Sequence, residues 1–268
     1  MNFYFDKTGI GYYKNNSQKI RVMSEHWVEN NIFCPCCGNS HIIKLENNKP
    51  AADFQCDNCK EVYELKSKKG KMGKKISDGA YLTMIERIKS IDNPNLFLLN
   101  YSSDLQVTNL LVIPKFFFVA DTIEKRKPLS STAQRAGWIG CNILFSNIPD
   151  QGKIKIIDNQ KACDINNILS KYDQIKKLQT NNLNNRGWLL DVLNCINSIP
   201  TVEFCLADVY QFTEKLQRKY FNNHNIEAKI KQQLQFLRDK GFIEFVERGY
   251  YRKINDREQI AKSNYKKK

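Results

Sequence analysis

Pro50-Ala51-Ala52-Asp53-Phe54-Gln55-Cys56-Asp57-Asn58-Cys59-Lys60-Glu61-Val62-Tyr63-Glu64-Leu65-Lys66-Ser67 holds two short extended runs hinged on a Cys-x2-Cys turn. Ala51 to Gln55 and Glu61 to Ser67 read as strands joined at Cys56–Cys59. Side chains alternate faces along a strand, so Glu64 and Lys66 point one way and Leu65 the other. Folding the pair back through its turn brings Asp53 beside Glu64. Two carboxylates so placed repel, and they coexist as ions when a divalent cation neutralises them. Mg²⁺ takes such oxygen ligands, together with waters and a phosphate. Lys66 beside that metal would position or deprotonate a water and offset charge on a phosphorane-like transition state. Taken alone, Glu64-Leu65-Lys66 describes a solvated strand face with an ordinary ion pair; its partnership with Asp53 across the turn gives it a chemical meaning.

The same turn belongs to a second pattern. Cys34-x2-Cys37 and Cys56-x2-Cys59 are separated by 18 residues, which is the spacing of a four-cysteine zinc site. Each pair bends back to place two thiolates about 2.3 Å from one tetrahedral ion. Four thiolates close the site, so this zinc holds structure and does not activate water. Cys36 could compete with Cys37, but the x2 spacing favours Cys34 with Cys37. Cys141, Cys163, Cys195 and Cys205 have no such spacing and read as small core residues. The start of the chain, Met1 to Asp6, has no basic segment followed by an apolar run, so a reducing interior without disulfides is expected.

Outward from the hinge, Ser17 offers an N-cap to a helix carrying Ile20, Met23, Trp27 and Val28 and ending near Asn30. Phe33 to Phe54 reads as a loop-rich knuckle. A second helix is expected from Ser77 to about Lys89, followed by buried strands at Asn95–Tyr101 and Val107–Ile113. Helix, strands, helix, strands around one sheet make an α/β core. Asp164 to Asn185 is polar and reads as a boundary. Beyond it come helices at Trp188–Ser198, Leu206–Phe221 and Asn225–Lys240, the last stopped by Gly241. Two strands flanking Glu247-Arg248-Gly249 follow, and three helices with a hairpin are the pattern of a winged helix. The expected division is 1–180 for the α/β domain, 181–255 for the winged helix, and 256–268 for a basic tail.

At 268 residues, 41% hydrophobic and 26% charged, the chain can bury a core, which excludes a disordered tail protein or a small disulfide scaffold. Lys and Arg number 42 against 28 Asp and Glu, a net charge of +14 that points to a polyanion as partner. No membrane span is expected, because the most apolar stretch, Leu110 to Ala120, is interrupted by Pro114 and Lys115. There is also no Gly-rich loop after a first strand, which argues against a nucleotide-cofactor methyltransferase.

Pro50 to Asp53 followed by Glu64-Leu65-Lys66 resembles the PD-(D/E)xK nuclease core, in which an Asp and a Glu from adjacent strands bind Mg²⁺ and the middle carbonyl, here of Leu65, helps. The resemblance widens with the zinc pair straddling Asp53, Phe54 to Gly70, Asp78-Gly79-Ala80-Tyr81 and Arg126-Lys127-Pro128-Leu129. Arg135-Ala136-Gly137-Trp138-Ile139-Gly140-Cys141-Asn142-Ile143 and Gln232-Gln233-Leu234-Gln235 extend it. From about Asn16 to Ile254 the chain resembles the DpnI-type restriction endonucleases. That likeness implies a Mg²⁺-dependent PD-(D/E)xK nuclease with a zinc site and a C-terminal winged helix, cutting double-stranded DNA at GATC bearing N6-methyladenine inside a prokaryotic cell. Asp53, Glu64 and Lys66 stand where that family's catalytic residues stand. A methyl in the major groove is read by apolar contact, for which Trp138 is a candidate as well as a core residue. Asn225, Lys229, Gln232 and Gln233 read as one groove-facing side of the third C-terminal helix, backed by Ile230, Leu234 and Leu237. Arg248 at the wing tip would reach a phosphate. The alternative is a zinc-ribbon and winged-helix transcription regulator without catalysis. Oligomeric state has no signal in the sequence.

Overall fold

The structure is a computed structural model that describes residues 1–46, 52–90, 93–180 and 182–254. The expected basic tail, and Pro50 and Ala51 of the hinge, lie outside the described residues. Helix α1 (Asn16–Asn31) is capped by Asn15, whose side chain accepts the Ser17 N–H at 2.8 Å. The cap therefore precedes Ser17, because Asn15 is the residue with extended backbone and a free carbonyl oxygen. After it come β1 (Ile43–Lys44), β2 (Phe54–Gln55), β3 (Val62–Lys69), β4 (Lys75–Ala80) and α2 (Tyr81–Ser90). β5 (Asn95–Tyr101) and β6 (Val107–Ile113) match the expected strands residue for residue. β7 (Ile123–Lys125), β8 (Gly140–Leu144), β9 (Ile154–Asp158), β10 (Lys161–Ala162) and α3 (Ile165–Lys176) complete the first part.

A central sheet runs in the order β1-β2-β3-β5-β6-β9-β10. Within it β3 lies parallel to β5, pairing Glu64 with Leu96 and Lys66 with Leu98, while the other neighbours are antiparallel. Every residue of β5 is buried, as expected of a strand covered on both faces. α1 packs on β1 and β3, and α3 packs on β9.

The expectation of one sheet is corrected by a second, β4-β8-β7. β4 occupies the first turn of the helix expected from Ser77. Ser77, Asp78 and Gly79 are poor helix formers, and pairing with β8 holds them extended; the helix starts only at Tyr81. The polar stretch read as a boundary also contains α3. Asp164 caps it by accepting the Asn167 N–H at 2.9 Å, and Ile168, Tyr172 and Ile175 form a buried stripe at helical spacing.

The C-terminal part comprises α4 (Leu183–Ser198), β11 (Glu203–Cys205), α5 (Leu206–Tyr210), α6 (Thr213–Lys219), α7 (Ile226–Asp239), β12 (Ile243–Glu247) and β13 (Tyr250–Lys253). The helix expected over Leu206–Phe221 is thus two, broken at Gln211-Phe212, and the hairpin gains β11 as a third strand beside β13. Gly241, with φ of 77°, ends α7 in the left-handed conformation that glycine tolerates. The two parts meet through polar contacts. Arg186 Nη2 donates to the Ile88 carbonyl at 3.2 Å, Gln174 Nε2 to the Lys240 carbonyl at 2.7 Å, and Lys219 sits between Asp121 and Asp191. Among the described residues no helix is long and apolar enough to cross a membrane.

Candidate active site

The knuckle supports the site from one end. The sulfurs of Cys34, Cys37, Cys56 and Cys59 all lie within 4.8 Å of one another, with Cys34–Cys59 at 3.5 Å and Cys37–Cys56 at 3.6 Å. A tetrahedral ion with bonds of about 2.3 Å requires edges of roughly 3.8 Å, so four thiolates here fit zinc. The Asn58 side-chain amide lies 3.5 Å from the Cys37 sulfur and that of Asn39 3.8 Å from the Cys56 sulfur, the outer donors that steady thiolates. Cys36 stands outside this group. Gly38 turns the first pair with φ of 78°, and a Cβ there would meet Leu169 of α3 at 3.0 Å. Of the remaining cysteines, Cys141 and Cys195 are buried while Cys163 and Cys205 are half-buried.

From the knuckle the chain enters β3 through Tyr63, whose hydroxyl lies 3.0 Å from the Cys34 sulfur and whose ring stacks on Phe97 at 4.7 Å. Phe54 pairs with Tyr63, so the same register sets Asp53 opposite Glu64. The Asp53 N–H donates to the Tyr63 carbonyl at 2.8 Å, and the Leu65 N–H donates to the Asp53 carboxylate at 2.7 Å. Carbonyls of Glu61 and Tyr63 face the β2 edge, and the two-residue period turns the Leu65 carbonyl to that edge as well. Lys66 Nζ lies 2.6 Å from the Glu64 carboxylate. The structure thus brings Asp53, Glu64, Leu65 and Lys66 to one place, with Glu64 only 16% exposed.

A fourth side chain, quoted in the sequence only within Asp78-Gly79-Ala80-Tyr81 and given no role there, completes the cluster. Asp78 of β4 lies 2.6 Å from Lys66 Nζ and its carboxylate is 6% exposed. Burial raises Asp53 above the ordinary carboxylate range, against the Leu65 N–H and with help from the charge of Glu25. Burial also raises Glu64, opposed by Lys66 and reinforced by Asp78 and Asp53. Burial would lower Lys66, but Glu64 and Asp78 outweigh it and hold the ammonium charged. Crowded, half-desolvated carboxylates of this kind are a donor set that a divalent cation satisfies. Beside them runs a cavity of about 440 Å³ in which the cations Arg21, Lys66, Lys68 and Lys75 outnumber the one acid, Glu25, above apolar walls that include Ile20 and Met72. Its buried acid, Glu25, is held by Arg21 at 3.0 Å and Lys44 at 2.8 Å. The basic run that follows Lys66 (Lys68, Lys69, Lys71, Lys74 and Lys75) begins on β3 and ends on β4, and its ends are tied down. Asn100 Nδ2 donates to the Gly70 carbonyl at 2.7 Å, and Lys75 pairs with Glu124 at 2.5 Å.

Trp138 lies half-buried in the loop from β7 to β8, its ring over Gly140 and under the Arg135 guanidinium at 4.7 Å. On α7, Gln232 is exposed and accepts from Lys229 Nζ at 2.7 Å, and Asn225 is exposed just before the helix. Gln233 departs from the reading. It is 6% exposed and completes the inward stripe of Ile230, Leu234 and Leu237, because i+3 from Ile230 falls on the buried face. Lys231, not singled out in the sequence, and Gln235, quoted there only within Gln232-Gln233-Leu234-Gln235, are exposed on the same helix. Arg248 is exposed in the two-residue turn of the wing.

Residues 1–181 match the family model DpnI, described as the Dam-replacing family, and residues 184–253 match DpnI_C, the Dam-replacing HTH domain. The chain belongs to the Dam-replacing family. Membership supports a restriction endonuclease of the methyl-directed kind, with DNA as its partner.

Proposed function

We propose that this member of the Dam-replacing family is a Mg²⁺-dependent endonuclease of PD-(D/E)xK type that cuts double-stranded DNA at GATC sites carrying N6-methyladenine. The observation that carries the reading is the convergence of Asp53, Glu64 and Lys66 on neighbouring strands, beside the basic cleft. Asp53, Glu64 and the Leu65 carbonyl would hold Mg²⁺, which when bound supplies Lewis-acid polarisation of a phosphate oxygen and a more acidic water. The Leu65 N–H fixes the Asp53 carboxylate in its orientation. Lys66 aligns the attacking water and steadies negative charge as its oxygen bonds to phosphorus and the leaving oxygen departs. Zinc at Cys34, Cys37, Cys56 and Cys59 anchors the turn between the two strands that carry these groups.

Residues 1–180 are the proposed nuclease domain and 181–255 the winged helix, with Asn225, Lys229, Gln232 and Arg248 facing DNA and Trp138 packing against the methyl. Gln233 is left out of that face because of its burial. The enzyme acts where the DNA is, in the prokaryotic interior. The test is a digest of plasmid grown in an adenine-methylating host and in a non-methylating one. Cleavage of the first alone, dependent on Mg²⁺, is expected; binding without cleavage of either would favour the transcription regulator.

A further inference from the structure

The Lys66 ammonium has two carboxylate neighbours, and only one belongs to the strand that carries it. Glu64 comes from β3 itself, while Asp78 comes from β4 in the second sheet, each at 2.6 Å. The ladder between β4 and β8 slips between Asp78 and Ala80, where Gly79 is the extra residue of a bulge. Bulges re-aim side chains, and they recur beside active sites. Here the bulge accompanies an Asp78 carboxylate that is 6% exposed and also accepts the Gly79 N–H at 2.7 Å. Glu64 has a second employer in the proposed reaction, because a divalent cation draws its oxygens. Once Glu64 turns to a cation, Asp78 is the remaining carboxylate within reach of Lys66 among those described.

We infer that Asp78 is a positioning residue that holds the Lys66 ammonium toward the attacking water while Glu64 serves the metal. The inference rests on the nuclease reading proposed above and adds a residue to it. Asp78 acts through Lys66 and touches neither metal nor phosphate. It also ties Lys66 to the sheet whose β7–β8 loop carries Trp138, since Asp78 pairs with Cys141, three residues after Trp138.

The test compares wild type, Asp78→Asn, Lys66→Ala and the double variant on an adenine-methylated duplex. Three quantities are read: the single-turnover cleavage rate with Mg²⁺, the binding of duplex with Ca²⁺ in place of Mg²⁺, and the melting temperature. Asp78→Asn is nearly isosteric and should slow cleavage about 10–100-fold, the scale of losing an outer orienting partner. Ca²⁺-dependent duplex binding should stay within about two-fold of wild type, and the double variant should be no slower than Lys66→Ala. Wild-type cleavage by Asp78→Asn, with Lys66→Ala inactive, would overturn the inference and leave the nuclease reading standing. Loss of Ca²⁺-dependent binding would make Asp78 a metal ligand and also overturn it. A lower melting temperature with weaker duplex binding would reduce it to a structural ion pair. If the wild type itself fails to cut, the nuclease reading falls first.

Discussion

Lys66 lies between two carboxylates, Glu64 and Asp78, each at 2.6 Å, and both favour its charged form. Burial acts to remove its charge, but Glu64 and Asp78 bind that charge and raise the ammonium above its ordinary range. A group so held is a donor and a cation, suited to aligning a water and offsetting negative charge. Lys66→Ala should therefore bind methylated duplex at close to wild-type affinity and lose cleavage by orders of magnitude, measured as single-turnover rate beside equilibrium binding. Equal losses in both would mark Lys66 as a DNA contact instead. Asp53, Glu64 and Lys66 were legible because strand alternation and one Cys-x2-Cys turn specify which side chains meet. Asp78 was quoted within Asp78-Gly79-Ala80-Tyr81, but its place beside Lys66 was not legible, since its strand reads locally as the start of a helix. Gln233 misled for the opposite reason: an amide on a helix looks like a base reader until the apolar stripe at Ile230, Leu234 and Leu237 is drawn through it.

Among the elements, the knuckle has the firmest sequence signature, and Cys34, Ile42, Phe54 and Cys56 tie it to the buried core. Its two turns are held by backbone bonds such as Gly38 N–H to the Cys34 carbonyl at 2.8 Å and Lys60 N–H to the Cys56 carbonyl at 3.0 Å. Zinc in small sites contributes about 10–16 kcal/mol of apparent binding free energy, more than such turns supply by themselves. Cys56→Ser should lose bound zinc, lower the melting temperature and abolish cleavage, because Asp53 directly precedes β2 and Glu64 lies on β3. Elemental analysis of protein purified without chelator that finds no zinc would contradict the assignment. β5 and β6 were readable as short apolar-rich runs separated by a polar turn. α3 was not, because its stripe of Ile168, Tyr172 and Ile175 is diluted by Asn, Lys and Gln on the outer face. β4 shows the limit most plainly: its pairing with β8 is a property of the assembled sheet and has no local signal.

Over the whole molecule the excess of cations is spread across both parts, consistent with one polyanion touching both. A net charge of +14 and contact with roughly 6–10 phosphates would give a log–log salt slope of about −5 to −9 for duplex binding. A slope near zero would assign the charge to something other than DNA. The seam between the parts carries polar contacts, with Lys219 of the C-terminal part reaching across to Asp121 while Asp191 holds it from its own side. The proposed recognition by the winged helix and the proposed chemistry at Lys66 therefore reside on two parts joined by polar contacts, Asn194 Nδ2 donating to the Asn147 carbonyl at 2.8 Å and Gln151 exchanging bonds with Asn197 among them. The most direct measurement uses a short duplex with one GATC site, either methylated on both adenines or unmethylated, incubated with Mg²⁺ and wild type or Asp53→Ala. The account predicts that wild type cuts only the methylated duplex and that Asp53→Ala binds it without cutting. Cleavage by Asp53→Ala at the wild-type rate, or equal cleavage of both duplexes by wild type, would contradict it.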